Sequence, residues 1–316
     1  ITTLLVREPD APKTQRKYFH ETSDYLRFLA MFALTVIAFI LANVYAGDLT
    51  DPLKTGLTDA GMIKELSGFI AGTLKLAIAV GFAILVAWLT TRVGLTPTGM
   101  VQETYISPVK DFIDRYGKVA IIILALIGVY RIADIVMGVM ANVFYTDLGF
   151  SKEEIAAVSK TFGLFMTIGG SFLGGVLSVR YGVVKILFLG ALLSAITNIL
   201  FAFMAQLGPD TTMFVVVIMA DNLSGGLATA AFIAYLSGLT NISFTAMQYA
   251  IFSSIMTLFP KILAGFSGTV VDAVGYSWFF VGTAVIGIPV LWLVVLAGRM
   301  TDTKDTTKPD ASAQDA

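Results

Sequence analysis

Cysteine is absent from the 316-residue sequence, and histidine occurs once, at His20. These absences exclude thiolate zinc sites, iron–sulfur clusters, cysteine nucleophiles and multi-histidine metal sites, and we expect no metal and no cofactor. Charged residues make up 14 % of the chain, against roughly 25 % in soluble domains. The net charge of −1 provides no basic surface, so nucleic acid is not an expected partner.

Apolar residues dominate what is present: they make up 56 % of the chain, and the mean hydropathy is +0.82. A bilayer-spanning helix needs about 20 mostly apolar residues. Eight continuous runs approach or exceed that length, and none alternates as a barrel strand does. The sequence therefore predicts an all-α polytopic membrane protein with these eight spans: Leu26–Ala46, Leu66–Thr90, Val119–Phe144, Thr161–Leu177, Val183–Leu207, Met213–Leu239, Thr245–Val271 and Trp278–Leu296.

Basic residues mark one side of this predicted topology. They precede the first run, fill the connection after the second, occur between the fourth and fifth, and follow the last: Arg7, Lys13, Arg16, Lys17, Arg92, Lys110, Arg115, Lys118, Arg180, Lys185, Arg299, Lys304 and Lys308. The intervening loops on the other side are acidic or carry few charges. The positive-inside rule then places both termini in the cytoplasm.

The spacing of the runs divides the chain unevenly. We expect a cytoplasmic segment over 1–25, a helix pair over 26–91 and a cytoplasmic connector over 92–118. A six-helix block follows over 119–298, and the polar tail over 299–316 is expected to be disordered. Because the chain begins with Ile1 and a charged stretch, we expect it to be a fragment that continues a longer protein.

Ionisable residues inside apolar runs are costly and need a partner or a wet cavity. Arg131 and Asp134 are three residues apart in the third run, so they share a helix face and can pair; Asn142 continues that face. One interpretation is a structural ion pair that locks helix packing. The other is a pair that lines a path for a solute or a proton, and on this interpretation Arg131 and Asn142, with Asn222 of the sixth run, are predicted to bind the substrate or line its cavity.

The sixth run contains Asp221 and Asn222, followed by Gly225 and Gly226. The glycine pair, like Gly170 and Gly174 in the fourth run, is typical of close helix packing. Packing does not explain a carboxyl about two turns inside a predicted span. Since Arg131 lies near Asp134, Asp221 is the better candidate for reversible protonation, with Asp134 the second proton-coupling candidate.

The seventh run carries a polar stripe, because Tyr249, Ser253, Thr257 and Lys261 recur every four residues. Gln248 flanks the stripe. A stripe that ends in a lysine within an apolar helix favours the lining of a cavity over an ordinary scatter of hydroxyls, and we assign Gln248 to the same cavity.

The loop over 175–185 resembles the GxLaDRxGRR loop of the major facilitator superfamily, in its second-half copy. Gly175, Arg180 and Gly182 match, whereas Val179, Val183 and Val184 stand at its acidic and two basic positions. Further stretches resemble AmpG-type muropeptide permeases: PVKDFIDRYG over 108–117, Tyr130-Arg131 with Asp134, DLGFS over 147–151 with Lys160, Asp221-Asn222 with Gly225-Gly226 and Thr229-Ala230, Ala234-Tyr235-Leu236, and FTAMQYA over 244–250.

This resemblance implies a proton-driven importer of anhydromuropeptides in the bacterial inner membrane, with a role in cell-wall recycling. Residues 119–298 would be the C-terminal six-helix half of a major facilitator fold, preceded by an extra helix pair, and the N-terminal half would be its missing partner. The 175–185 loop would act in gating. Alternatives are a carrier of another solute, such as an acetyl-CoA type transporter, and a non-transporting membrane scaffold. A membrane enzyme is not expected, since the runs contain no histidine or cysteine.

Overall fold

The computed structural model describes residues 20–305, apart from the side chains of residue 65 and of residues 301–305. The four basic residues expected to lie before the first span, Arg7, Lys13, Arg16 and Lys17, fall outside the described residues. So do residues 306–316 of the predicted polar tail.

Within residues 20–305 the chain is helical and contains no strand. Twelve α-helices are joined by two π-helical turns at Gln102–Ile106 and Ala156–Phe162 and one 3-10 turn at Ile242–Phe244. The α-helices are α1 Thr22–Asp59, α2 Lys64–Arg92, α3 Thr98–Val101, α4 Ser107–Tyr116, α5 Val119–Val129, α6 Ile132–Leu148, α7 Lys152–Ile155, α8 Gly163–Tyr181, α9 Val183–Leu207, α10 Thr211–Leu239, α11 Thr245–Ala264 and α12 Ser267–Asp305.

Eight helical stretches of the described chain are long and apolar enough to cross a membrane. The predicted number and the all-α class are therefore confirmed. We number these stretches as spans 1 to 8: Thr22–Asp59, Leu66–Arg92, Val119–Leu148, Lys152–Tyr181, Val183–Leu207, Thr211–Leu239, Ile242–Ala264 and Ser267–Met300.

Span 1 continues thirteen residues beyond its predicted end at Ala46 and contains Pro52. The hydroxyl of Thr50 donates to the Ala46 carbonyl oxygen (2.8 Å), and that of Thr58 donates to the Lys54 carbonyl oxygen (2.9 Å). The helix ends before Gly61, whose φ of +92° is the left-handed conformation that glycine adopts without strain. The helix therefore continues beyond the apolar run and ends at the turn that Gly61 makes, so hydropathy alone placed its end too early.

The described chain forms two compact units, and the first comprises residues 20–109 and 241–245. Spans 1 and 2 pack antiparallel within it. The Thr58 and Ser67 hydroxyls lie 2.7 Å apart at one end, and Thr91 contacts the Met31 sulfur at the other. His20, at the start of span 1, lies 3.0 Å from the Glu103 carboxylate in the connector.

The second unit comprises residues 110–240 and 246–305 and contains spans 3 to 8. Its core includes an aromatic cluster that joins spans 3, 5, 6 and 8: Phe144, Tyr145, Phe201, Phe214, Tyr276 and Phe280. Four of these rings are fully buried. This cluster fixes one end of the unit, while the polar residues described below lie further along the same helices.

Spans 4 and 6 pack backbone against backbone. A Cβ atom at Gly170 would overlap the Leu223 carbonyl, one at Gly226 would overlap the Thr167 carbonyl, and one at Gly174 would lie 2.6 Å from the Leu227 oxygen. The predicted close packing at Gly170 and Gly174 is confirmed. Of the predicted glycine pair in span 6, Gly226 makes the contact, while a Cβ at Gly225 would meet no described heavy atom within 4 Å.

Three interruptions of regular α-helix were not predicted. Span 3 changes from α5 to α6 at Tyr130 and Arg131, and span 4 contains the π-helical turn Ala156–Phe162. The third interruption separates α11 from α12 at Gly265 and Phe266.

The helical segment that follows the third interruption packs along α6. The Ser267 hydroxyl donates to the Val136 carbonyl oxygen (3.1 Å), and the Tyr276 hydroxyl donates to Asp147 (2.6 Å). Val136 and Asp147 are eleven residues apart on α6, or roughly 16 Å, so residues 267–274 continue towards the end of that helix. The chain reverses only at Gly275, where φ is +77°. The predicted segment Thr245–Val271 runs across this break, so its predicted end lies seven residues beyond the end of span 7 at Ala264.

Candidate functional site

An ion pair lies at the interruption of span 3. Arg131 Nε is 2.8 Å from Asp134 Oδ2, so the pairing predicted from their spacing is confirmed. Arg131 also donates to the Thr229 hydroxyl of span 6, and the Ser194 hydroxyl of span 5 donates to Asp134. The pair therefore ties three spans together.

A second carboxylate is attached to the same turn of span 5. The Thr197 hydroxyl donates to Asp221 Oδ1 of span 6 at 3.2 Å. Ser194 and Thr197 are one helical turn apart, and both are buried. One turn of α9 thus contacts both acidic residues, although the two lie on different spans. Sequence reasoning missed both hydroxyls, because serine and threonine are ordinary residues in membrane helices.

Asn222, next to Asp221, lies in the tight contact between spans 4 and 6. Its Oδ1 accepts from the Thr167 hydroxyl (2.8 Å), and its Nδ2 donates to the Ile218 carbonyl oxygen (3.0 Å). A Cβ at Gly163 would lie 3.1 Å from Nδ2. In this structure its amide therefore supports helix packing.

The polar stripe of span 7 lies on one helix, α11. The Tyr249 hydroxyl contacts the Ser237 hydroxyl (2.9 Å) and the Ile233 carbonyl oxygen (3.1 Å) of span 6. Ser253 and Thr257 donate to backbone oxygens one turn earlier, at 2.8 and 3.0 Å. Lys261 is exposed, and no carboxylate of the described chain lies within 4.0 Å of its ammonium group.

Gln248 differs from the residues of that stripe because it is buried, with only 1 % of it exposed. The side-chain amide nitrogen of Gln248, Nε2, donates to Asp111 (3.0 Å), and its amide oxygen, Oε1, accepts from Arg115 (3.3 Å). Arg115 also pairs with Asp111 at 2.9 Å and donates to the Leu239 carbonyl oxygen. Gln248 thus joins α4 to the beginning of span 7.

Asn142, predicted as a cavity residue, has a partner that sequence reasoning left out of the site. Lys160 Nζ donates to Asn142 Oδ1 at 3.0 Å, and both side chains are exposed. Lys160 lies on the π-helical turn of span 4, and such turns are frequent at functional sites. It was left out because the predicted span began at Thr161, which placed Lys160 in a loop, whereas the observed span begins at Lys152.

The loop between spans 4 and 5 is a sharp turn at Gly182, whose φ is +92° and ψ is 143°. The Arg180 guanidinium lies 5.4 Å from the centre of the Tyr181 ring. No described heavy atom lies within 4 Å of a Cβ placed at Gly175. Within the described residues, Arg180 has no carboxylate partner within 4.0 Å, in keeping with Val179 at the acidic position of the resembled loop.

Comparison with known proteins identifies the family of this chain. The model of the Major Facilitator Superfamily matches residues 120–315. The chain is 30 % identical to "Putative transporter AmpG 4" of Rickettsia conorii over 193 residues, which is 61 % of this chain and 46 % of that protein. It is 34 % identical to "Putative transporter AmpG 1" of Rickettsia bellii over 190 residues, 60 % of this chain and 46 % of that protein.

A longer match, with lower identity, is to the "Anhydromuropeptide permease" of Escherichia coli K12. The identity is 27 % over 308 residues, which is 88 % of this chain and 62 % of that protein. The chain thus spans about half to three-fifths of the length of the curated relatives it matches. With eight apolar helices and a family match over more than half of its length, this chain belongs to the Major Facilitator Superfamily of membrane transporters.

Proposed function

We propose that this protein is a secondary active transporter that imports anhydromuropeptides, driven by protons. The observation that carries the proposal is the buried polar connection between Asp134 and Asp221, through Ser194 and Thr197, beside Arg131. Carboxylates inside an apolar helix block are costly, and in membrane proteins such residues mark paths for protons or solute. The names of the similar proteins supply the solute class.

Asp221 is the proposed proton carrier. Asp134 is neutralised by Arg131 at 2.8 Å, so protonating it would break an ion pair. Asp221 accepts a hydrogen bond from the neutral Thr197 hydroxyl, and no cation of the described residues lies within 4.0 Å of it. Asp221 can therefore gain and lose a proton without giving up a charged partner.

The solute would bind to exposed and half-buried polar groups of spans 3, 4 and 7. A muropeptide carries carboxylates and sugar hydroxyls. Lys160 and Lys261 are exposed cations without a described acidic partner, suited to the carboxylates. Asn142, Tyr249, Ser253 and Thr257 provide amide and hydroxyl groups for the sugars. Arg131 is a third candidate anchor, while Gln248 and Asn222 act by positioning span 7 and span 6.

Transport in this superfamily takes place between two six-helix halves that rock against each other. We propose that spans 3 to 8 are one such half and that a second half completes the cavity. The loop with Gly175, Arg180 and Gly182 would take part in closing it. The positive-inside rule supports cytoplasmic termini, and the resemblance to muropeptide permeases supports the bacterial inner membrane as the location.

The proposal is tested by uptake into cells that lack their own muropeptide permease and produce the complete protein. We expect labelled anhydromuropeptide to accumulate, and unlabelled anhydromuropeptide, but not acetyl-CoA, to compete with it. Inhibition by acetyl-CoA alone would assign the protein to another solute. Stable, membrane-inserted protein without uptake of either compound would support the scaffold interpretation and contradict the proposal.

A further inference from the structure

A groove of about 580 Å³ opens where spans 5 and 8 meet, next to the turn at Gly182. Its walls are mainly apolar, with Val183, Val184, Phe188 and Val294 among the lining residues, and Lys185 and Arg299 lie at the same groove. Both cationic residues are exposed. A 580 Å³ groove is within the size range of small-ligand sites.

The groove is separate from the polar site of the block. Lys185 precedes Ser194, the contact of Asp134, by nine residues of the continuous helix α9, which is roughly 13 Å along the axis. Gly298 also lines the groove, and a Cβ there would lie 2.7 Å from Val184 Cγ1. This close approach brings the end of span 8, and with it Arg299, against the beginning of span 5.

The position of the groove relates it to the membrane surface. It lies at the ends of the spans, since span 5 begins at Val183 and span 8 ends at Met300. Headgroups occupy this depth of a bilayer, just outside the hydrocarbon core. A groove with apolar walls and two cations at this depth matches an amphiphile with an anionic head, and neither a soluble anion nor a neutral lipid would use both features. Basic pockets between membrane helices bind acidic headgroups in this way.

We propose that this groove binds an anionic phospholipid, with the headgroup phosphate at Lys185 and Arg299 and an acyl chain along Val184, Phe188 and Val294. The lipid would bridge the beginning of span 5 and the end of span 8. This proposal does not depend on which solute the protein carries.

The test is native mass spectrometry of the complete protein, exposed in detergent to phosphatidylglycerol and phosphatidylcholine with identical acyl chains. We expect wild-type protein to retain phosphatidylglycerol preferentially. The double variant Lys185→Gln/Arg299→Gln should bind it about 30-fold more weakly, since each cation near the surface contributes about 1 kcal/mol. The matched control Lys110→Gln/Lys118→Gln removes two exposed cations that do not line the groove, and should bind as the wild type does.

Equal retention of the two lipids by wild-type protein would overturn the proposal without relying on any variant. So would unchanged phosphatidylglycerol binding by the Lys185/Arg299 double variant, or equal weakening by the control. Soluble glycerol phosphate provides a further arm. Competition by this compound at the concentration of the lipid would show a phosphate site without lipid character, and would also overturn the proposal.

Discussion

At the scale of single residues, Arg131, Asp134 and Asp221 are not equivalent. Arg131 and Asp134 neutralise each other at 2.8 Å, whereas Asp221 has a hydroxyl partner at 3.2 Å. Charge pairing makes the first two suited to holding spans 3, 5 and 6 in place. The carboxyl of Asp221, which has no charged partner among the described residues, is suited to reversible protonation.

The first prediction concerns this carboxyl. In the complete protein, Asp221→Asn should abolish proton-driven accumulation of solute and spare exchange of internal for external solute, because the amide keeps the Thr197 contact but cannot carry a proton. Labelled-solute uptake and counterflow measure the two activities. Asp272→Asn, which removes an exposed carboxyl, is the control and should accumulate normally. Normal accumulation by Asp221→Asn would eliminate Asp221 as the proton carrier.

The second prediction concerns Lys160. Lys160→Gln removes a cation but keeps a donor for Asn142, so we expect the KM for an anionic solute to rise about tenfold, the effect of losing one charge-assisted hydrogen bond. The maximal rate should change less. Lys152→Gln, at the beginning of the same span, should leave the KM unchanged, and an unchanged KM in Lys160→Gln would remove Lys160 from the binding site.

The sequence predicted only part of this site. The Arg131–Asp134 pair followed from a three-residue spacing, and the structure confirms it. Ser194 and Thr197 could not be singled out, because their role depends on which helices lie beside span 5. Lys160 was left out of the predicted site for a related reason. An apolar run shows which part of a span is hydrophobic, but it does not show where the helix begins.

At the scale of elements, hydropathy predicted eight spans but not their interruptions. The breaks at Arg131 and at Gly265–Phe266 lie in stretches that were predicted as continuous helices, whereas most of the π-helical turn at 156–162 lies before the predicted beginning of span 4. Irregular backbone at membrane depth is tolerated where it is buried in protein or lines a cavity. All three interruptions occur in spans 3, 4 and 7 or directly after span 7, the same spans that carry the proposed solute contacts.

The third prediction tests the contact between spans 4 and 6. Gly226→Ala should lower the free energy of unfolding by about 1–3 kcal/mol, because its methyl group would overlap the Thr167 carbonyl. The neighbouring Gly225→Ala has space for a methyl group and should be nearly neutral. Thermal unfolding of the complete protein in detergent measures both. Equal effects of the two substitutions would contradict this account of the packing.

At the scale of the whole molecule, the distribution of basic residues predicts which side each loop faces. The 316-residue sequence contains no cysteine, so each cysteine introduced into it adds one labelling site, and the protein without that substitution is the background control. Asp59→Cys and Asp210→Cys should react with an impermeant maleimide added to intact cells, and Arg115→Cys should react only after permeabilisation. The reverse pattern would contradict the proposed cytoplasmic termini.

Family membership followed from the sequence more securely than the activity did. The resemblance at Gly175, Arg180 and Gly182 and at the 108–117, 147–151 and 244–250 stretches agrees with the family match over residues 120–315. In the proposed architecture the solute and the driving ion are selected by groups of both six-helix halves. These two properties therefore have to be measured on the complete protein.

The most direct measurement is solute uptake by proteoliposomes under an imposed pH gradient. With the outside more acidic, the complete protein should concentrate labelled anhydromuropeptide inside the vesicles above its external concentration. A protonophore should reduce the internal level to equilibrium. Uptake that merely equilibrates, with the same extent in the presence and absence of the gradient, would contradict proton-driven import.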